Sequence, residues 1–380
     1  MNAALYHCER VDEIRGTVER ILRDIGEEKA YGLLRGKNVL LKPNLCIDFP
    51  PERGATTHPA VVEAVVQIAL DAGARLTIGD GAAVGVRGNT GETTGMLDLC
   101  RRYGLPFRDF NREEGRRVRI EGALRMSEMT IARSFFEADT IVNLPVFKSN
   151  MMFWVSGALK NMKGLLVGME KHRPHYLGVP ECVADVNRAL RQDLILMDGF
   201  VGMMGDGPAA GEPANARLLM GGFDPVAIDH LAARLMGMNP QKVPMIQCAL
   251  KAGLGSDRYE IAGDPPESFH LRFEKPMVAR NPAATFLMGG ASRAAFRLFG
   301  KASKMAVDRD KCTLCGRCRE MCPFHAIEIA DRRVTVDRGR CQFCMCCTEV
   351  CRPGAIRLTG MLQNKGRVIA GPKGVGKPEQ

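Results

Sequence analysis

The chain of 380 residues is 46% hydrophobic and 25% charged, with a formal net charge of +10. That length favours two domains over one core, and the composition excludes a disordered or collagen-like chain. No uncharged apolar run approaches the roughly 20 residues of a membrane span, and the N-terminus lacks the basic flank and apolar core of a signal peptide, so a cytoplasmic protein without a transmembrane segment is expected.

Residues 1–270 alternate strand and helix signals. Residues 37–44 form a short apolar run before a Pro turn and predict a strand. Residues 59–73 predict a helix, with Pro59 at its start, Gly73 at its end and apolar residues at helical spacing. Further strands are expected at 75–81, 139–147 and 193–200, and an amphipathic helix at 224–237 with Asp224 near its N-cap and Pro225 at N1. This order predicts an α/β fold with a largely parallel sheet and helices on both faces.

Ligands in such sheets sit beyond the C-terminal strand ends. Lys42, Asn44, Asp80, Asn143, Lys148 and Asp198 fall at those positions, although an Asp before Gly is also an ordinary turn residue. In "SGALKNMKGLLVGMEKHRPHY" (156–176), Ser156 is placed to cap a short helix ended by Gly164. Lys160 and Lys163 lie three apart and share a face. Lys171, His172 and His175 follow, and with Lys148 they outline a cationic pocket for a carboxylate or phosphate; the plainer alternative is a solvated basic face. The expected catalytic set is Lys148, Lys160, Lys163, Asp80, Asp198 and His172. The expected substrate-binding set is Lys42, Asn44, Asn143, Asn150 and Asn161. The loops "GDGAAVG" and "GDGPAAG" miss the dinucleotide pattern by one residue, and the P-loop-like tail "GPKGVGKP" has Pro378 where a Ser or Thr is needed.

Residues 264–303 read as a Pro-rich connector followed by an amphipathic helix with Arg293, Arg297, Lys301 and Lys304 along it. It packs as a linker, or docks on an acidic redox partner or a membrane surface. From 271 onward there are 21 Lys and Arg against 9 Asp and Glu. No nucleic-acid reader motif accompanies that charge, so nucleic acid is not expected as a partner.

Nine of the fourteen cysteines lie between residues 312 and 351. "CTLCGRCREMCP" (312–323) supplies Cys312, Cys315, Cys318 and Cys322; "CQFCMCCTEVCRP" (341–353) supplies Cys341, Cys344, Cys347 and Cys351. Each cysteine recurs 29 residues later, and Ala326–Ile327 recurs as Ala355–Ile356, so a short unit is duplicated. Cys346 has no counterpart and reads as a bystander; Cys8, Cys46, Cys100, Cys182 and Cys248 read as small buried hydrophobes. Pro323 follows Cys322 directly, whereas Arg352 intervenes between Cys351 and Pro353. A zinc site typically needs four ligands in two pairs; two runs of four suit two cubane clusters better, and anionic clusters offset part of the basic charge.

This segment, about 304–362, resembles bacterial-type ferredoxins with two 4Fe–4S clusters. The resemblance implies one-electron transfer and a crosswise ligand set: Cys312, Cys315, Cys318 and Cys351 on one cluster, Cys322, Cys341, Cys344 and Cys347 on the other. Farther upstream, "KPN" (42–44), "THP" (57–59), "GDG" (79–81), "NLPVFKSN" (143–150), "SGALKNMKG" (156–164), "MDG" (197–199), "GDGP" (205–208) and "DPVAID" (224–229) together resemble the domain of unknown function 362 family. That family is often fused to a ferredoxin-like segment and is distantly similar to the nickel-dependent lactate racemase fold. Many members carry histidine where this chain has Asn150, an amide suited to substrate rather than metal.

The expected organisation is an α/β domain at 1–265, a linker with the amphipathic helix at 266–303, a small α+β ferredoxin-like domain at 304–362 and a basic flexible tail at 363–380. The expected function is electron transfer from a redox protein such as a ferredoxin, through two 4Fe–4S clusters, to a small anionic substrate. The alternatives are a non-catalytic carrier or assembly subunit of a redox complex, and a metal- or nucleotide-dependent enzyme whose clusters are redox-inert.

Overall fold

The computed structural model describes residues 2–83, 86, 88–280 and 303–360. Its main sheet runs, from one edge, Glu260–Gly263, Asn2–His7, Leu218–Gly222, Leu194–Asp206, Thr140–Leu144, Asn38–Pro43, Arg75–Asp80 and Phe107–Asp109. Five of the seven neighbouring pairs are parallel; the strand Leu218–Gly222 is antiparallel to both its neighbours. Strand alternation divides the side chains between two apolar layers. Ala4, Tyr6, Val39 and Leu41 pack beneath the helices Ile14–Gly32 and Pro59–Asp71. On the other face Ala3, Leu5, Ile195 and Met197 pack beneath Val179–Ala189, Pro225–Leu235 and Pro244–Lys251, and Leu40 and Ile141 meet Cys182 and Val186.

The expected strands and helices are present with shifted ends. The run at 139–147 divides at Pro145, which has no N–H for the ladder, into Thr140–Leu144 and Val146–Asn150. The strand expected to stop at 200 continues to Asp206 and turns back through Ala210–Ala214, which adds an antiparallel hairpin to the sheet. Ser156 does not cap the short helix Ala158–Asn161. Asp229, 71 residues away, accepts the N–H groups of Ala158 at 2.6 Å and Leu159 at 3.1 Å. Of the connector, the described part holds short helical turns at Pro266–Ser268 and Met277–Arg280; most of the expected amphipathic helix and the tail at 363–380 lie outside the described residues.

In the small C-terminal part, Ser303–Val307 pairs antiparallel with Ile356–Gly360, and Ile327–Ala330 with Arg333–Val336. The 29-residue duplication is preserved in the backbone: Leu314 and Phe343, Gly316 and Met345, and His325 and Gly354 all have positive φ. Gly316 and Met345 start equivalent one-turn helices, Arg317–Glu320 and Cys346–Glu349. Glycine suits that left-handed position, while Met345 is held there with only 2% exposure. Met305, Ala326, Ile327, Met345 and Ile356 join the apolar layer that contains Leu5 and Ile195, so the two parts share one continuous core. Among the described residues no helix is long and apolar enough to cross a membrane.

Asp224 begins Pro225–Leu235 as expected: its Oδ1 accepts from the N–H of Val226 at 2.8 Å and of Ala227 at 3.2 Å, and Oδ2 from that of Ser256 at 2.8 Å. Asp224→Ala should therefore destabilise the protein by about 2 kcal/mol, since cap loss is joined by stranded buried donors; a lowered chemical-denaturation midpoint checks it.

Candidate active site and cysteine cavities

Three neighbouring strand ends bring polar groups to one edge of the sheet. Lys42 comes from Asn38–Pro43, Asp80 from Arg75–Asp80 and Lys148 from Val146–Asn150. Lys42 Nζ lies 2.7 Å from Asp80 Oδ1, and both side chains are almost wholly shielded from solvent. Its other partners are Asn161 Oδ1 at 3.3 Å and the Pro43 carbonyl at 3.1 Å. Asp80 Oδ2 accepts from the Leu45 N–H. Burial lowers the Lys42 pKa and Asp80 opposes that shift.

An amide chain extends this pair. Asn161 receives a hydrogen bond from Asn44 at 2.8 Å and donates to Asn143 at 2.7 Å; Asn143 in turn donates to the Ala158 carbonyl and Gln192. Lys148 Nζ donates to Asn44 Oδ1 at 3.0 Å, the Ala55 carbonyl at 2.5 Å and Cys46 Sγ at 3.3 Å. Close backbone approach is built in: a Cβ on Gly164 would collide with Asp80 and Lys42, and one on Gly81 with Lys171.

Above this network lies a cavity that opens to solvent. Its first wall carries Lys148, Lys160, Lys163, Lys171, His172 and His175; its second comes from the C-terminal part, with Met321, Cys346, Glu349 and Val350. Met321 and Val350 are equivalent under the 29-residue offset, so the cavity faces the seam between the two copies. Lys163 Nζ is 2.7 Å from His175 Nε2, and the His175 ring lies beside the Cys344 backbone. Burial holds Lys163 at about 8 and Lys171 at about 7, and keeps both histidines below their usual range. The two parts are also tied by Arg352, which donates to Asp48 Oδ1 at 2.7 Å and to the Asp48 carbonyl at 2.8 Å.

Not every expected residue reaches the cavity. Asp198 is fully buried and accepts the N–H groups of His58 at 2.7 Å and Phe200 at 2.9 Å, fixing the loop before the helix Pro59–Asp71; burial pushes its carboxyl up to about 7. Asn150 closes the turn after its strand by accepting from Met152 and Phe153 N–H groups. Lys42 and Asn143 lie behind the wall, with their polar atoms engaged by the network. Lys171 and His175 belong to the wall with His172. Cys46, read as a buried hydrophobe, lines the cavity against Lys148, and Cys346 lines it while hydrogen-bonded to Cys344. The signal for Cys346 was its lack of a partner in the repeat.

Two smaller cavities lie in the C-terminal part. One is lined by Cys312, Cys315, Cys318 and Cys351; the other by Cys322, Cys341, Cys344 and Cys347. None of the eight is joined in a disulfide. The symmetry extends to main-chain donors: the Ala326 N–H points to Cys322 Sγ and the Ala355 N–H to Cys351 Sγ, each at 3.2 Å. Burial, then the neighbouring thiols, pushes Cys318 up to about 11 and raises Cys347 well above its usual range. Among the described residues no three His, Cys, Asp or Glu side chains are gathered closely enough for one metal ion. The sulfurs surround cavities instead, a donor set suited to multi-iron clusters.

Asp80→Asn should leave Lys42 buried without a counter-charge and destabilise the protein by about 3–5 kcal/mol. Adding Lys42→Met should lose less than the sum of the two single changes, measured by chemical denaturation in a double-mutant cycle.

The sequence profile described as Domain of unknown function (DUF362) matches residues 39–234, and that of a 4Fe-4S binding domain matches residues 305–328. The Thylakoid-associated protein sll1697 of Synechocystis sp. is 28% identical over 252 residues, covering 65% of this chain and 75% of that protein. The lactate racemase apoprotein from Thermoanaerobacterium thermosaccharolyticum aligns at 16% identity with a TM-score of 0.40, over 62% of this chain and 57% of that one. This chain thus spans just over half the length of that racemase. The first profile takes in more than half of the chain and all the cavity lysines from Lys148 to Lys171. The chain belongs to the family described as Domain of unknown function (DUF362), with a 4Fe-4S binding domain following it.

Proposed function

We propose that this protein is a cytoplasmic iron–sulfur oxidoreductase that passes electrons to a small anionic substrate held in the lysine-rich cavity. The observation that carries the reading is the shared wall: Cys346, Glu349 and Val350, interleaved with the cysteines of the second run, face Lys163, His172 and His175 across one cavity. Two 4Fe–4S clusters, held crosswise by Cys312, Cys315, Cys318 and Cys351 and by Cys322, Cys341, Cys344 and Cys347, would supply single electrons. The cysteine lining of the two smaller cavities supports that ligand set. Fourteen cysteines without a disulfide suit a reducing compartment.

The chain's own residues do the rest. Lys160, Lys163 and Lys171 bind and orient the anion, while the Asn44–Asn161–Asn143 chain fixes the floor beneath it. Met321 and Val350 exclude water from one side. The neutral rings of His172 and His175 are placed to hold or move a proton at a ring nitrogen. Cys315 is the exposed member of the eight cysteines and marks the side where a redox protein delivers electrons. A non-catalytic carrier would need no such cavity, which favours the enzyme reading.

Anaerobically purified protein should contain about eight irons per chain, with matching labile sulfide and reduced-cluster EPR signals. A small-anion screen on the reduced protein should find a substrate that restores its visible absorbance. Lys160→Ala with Lys163→Ala should abolish that reoxidation and leave iron content intact. Colourless protein, or zinc without iron, would overturn the reading.

The pH response has a defined sign. The charged form of Lys171 binds the anion, and burial holds its pKa at about 7, with Asp80 and Asp109 opposing the shift and Lys42 and Lys163 adding to it. The Michaelis constant for the anionic substrate should rise as pH climbs above about 7; a flat profile from pH 6 to 9 would exclude Lys171 as an anion ligand.

A further inference from the structure

An ammonium group has three N–H donors, and counting them separates the lysines of this region into two kinds. Lys42 spends its donors on Asp80, Asn161 and the Pro43 carbonyl. Lys148 spends its donors on Asn44, Ala55 and Cys46. Both are closed. Among the described residues, Lys160 has one partner, Ser156 Oγ at 3.3 Å; Lys163 has one, His175; and Lys171 has one, Asn111 Oδ1. Each of these three keeps two donor positions free, and all three line the cavity. The Nε2 atom of His172, 6% exposed and on the same wall, also has no partner.

Charge points the same way. Of the cavity's carboxylates, Asp80 is matched by Lys42 and Glu349 offsets one of Lys148, Lys160, Lys163 and Lys171, so more than one positive charge remains near neutral pH even with Lys171 held at about 7. One carboxylate cannot neutralise that excess, nor can its two oxygens fill six donor positions. From this geometry we infer that the substrate presents a compact dianionic group, a phosphate monoester or a pair of adjacent carboxylates, to Lys160, Lys163 and Lys171, with Lys42 and Lys148 serving as fixed supports. The inference rests on the cavity being the substrate site and adds the class of ligand it takes.

The test uses oxidised, anaerobic, cluster-loaded protein and no reductant, so that binding is read apart from electron transfer. Inorganic phosphate, malonate and acetate are titrated by calorimetry at constant ionic strength. Phosphate or malonate should bind about tenfold or more tightly than acetate. Lys160→Ala and Lys171→Ala should each weaken the dianion by about ten- to a hundredfold, the range for a lost charge-assisted hydrogen bond. Lys160→Arg should retain most of the affinity, and the visible cluster spectrum reports that each variant is folded. Which dianion binds more tightly distinguishes a phosphate ester from a dicarboxylate. Acetate binding as tightly as both dianions, or folded Lys160→Ala and Lys171→Ala variants with unchanged affinity, would overturn the inference. A protein that binds dianions in this way but whose reduced clusters no substrate reoxidises would overturn the redox reading alone.

Discussion

The arrangement depends on keeping ammonium groups out of water. A buried cation is costly unless hydrogen bonds and a counter-charge replace its solvent. Asp80 provides the counter-charge for Lys42, and Asn44 and the Ala55 carbonyl provide the solvation of Lys148. Once these two are satisfied they form a rigid polar floor at the sheet edge. Lys160, Lys163 and Lys171 stand over that floor with fewer partners, and burial lowers the pKa of Lys163 and Lys171. The cavity therefore has a settled layer of satisfied ammonium groups and a second layer with donors to spare.

The small domain completes the enclosure without supplying positive charge to it. Met321 and Val350 add apolar surface, Glu349 adds the opposite sign, and Cys346 brings the wall to within one residue of Cys347. A shared apolar layer, from Leu5 and Ile195 to Met345 and Ile356, makes this contact part of the fold. A site built across such a seam joins a binding surface to a cysteine-rich surface without a long path between them.

Short-range patterns were legible in the sequence because their causes are short-range. The three-residue cysteine spacing within each run, the Pro–helix starts and the Asp224 cap all act within a few residues, and the structure keeps them. The polar strand ends were legible as a group, since α/β topology places them on one edge. Their individual roles were not. Asp80 ends a buried strand and Asp198 lies inside one, yet the second is consumed by backbone donors and the first by Lys42. The cap on Ala158–Asn161 was hidden because Asp229 reaches it from 71 residues away. Lys42 and Lys160 look alike in sequence; only the three-dimensional count of acceptors tells a closed ammonium from an open one.

The two copies of the cysteine unit are nearly superimposable in backbone sign, but they differ at the places that meet the larger domain. Cys346 stands where the first copy has Arg317, and Arg352 is the residue interposed before Pro353. The first faces the lysine cavity and the second grips Asp48. Drift after duplication has thus turned a symmetric module into a handed one: exchanging the halves would preserve all eight shared sulfurs yet remove the rivet and the facing thiol, leaving a module with no orientation on its host.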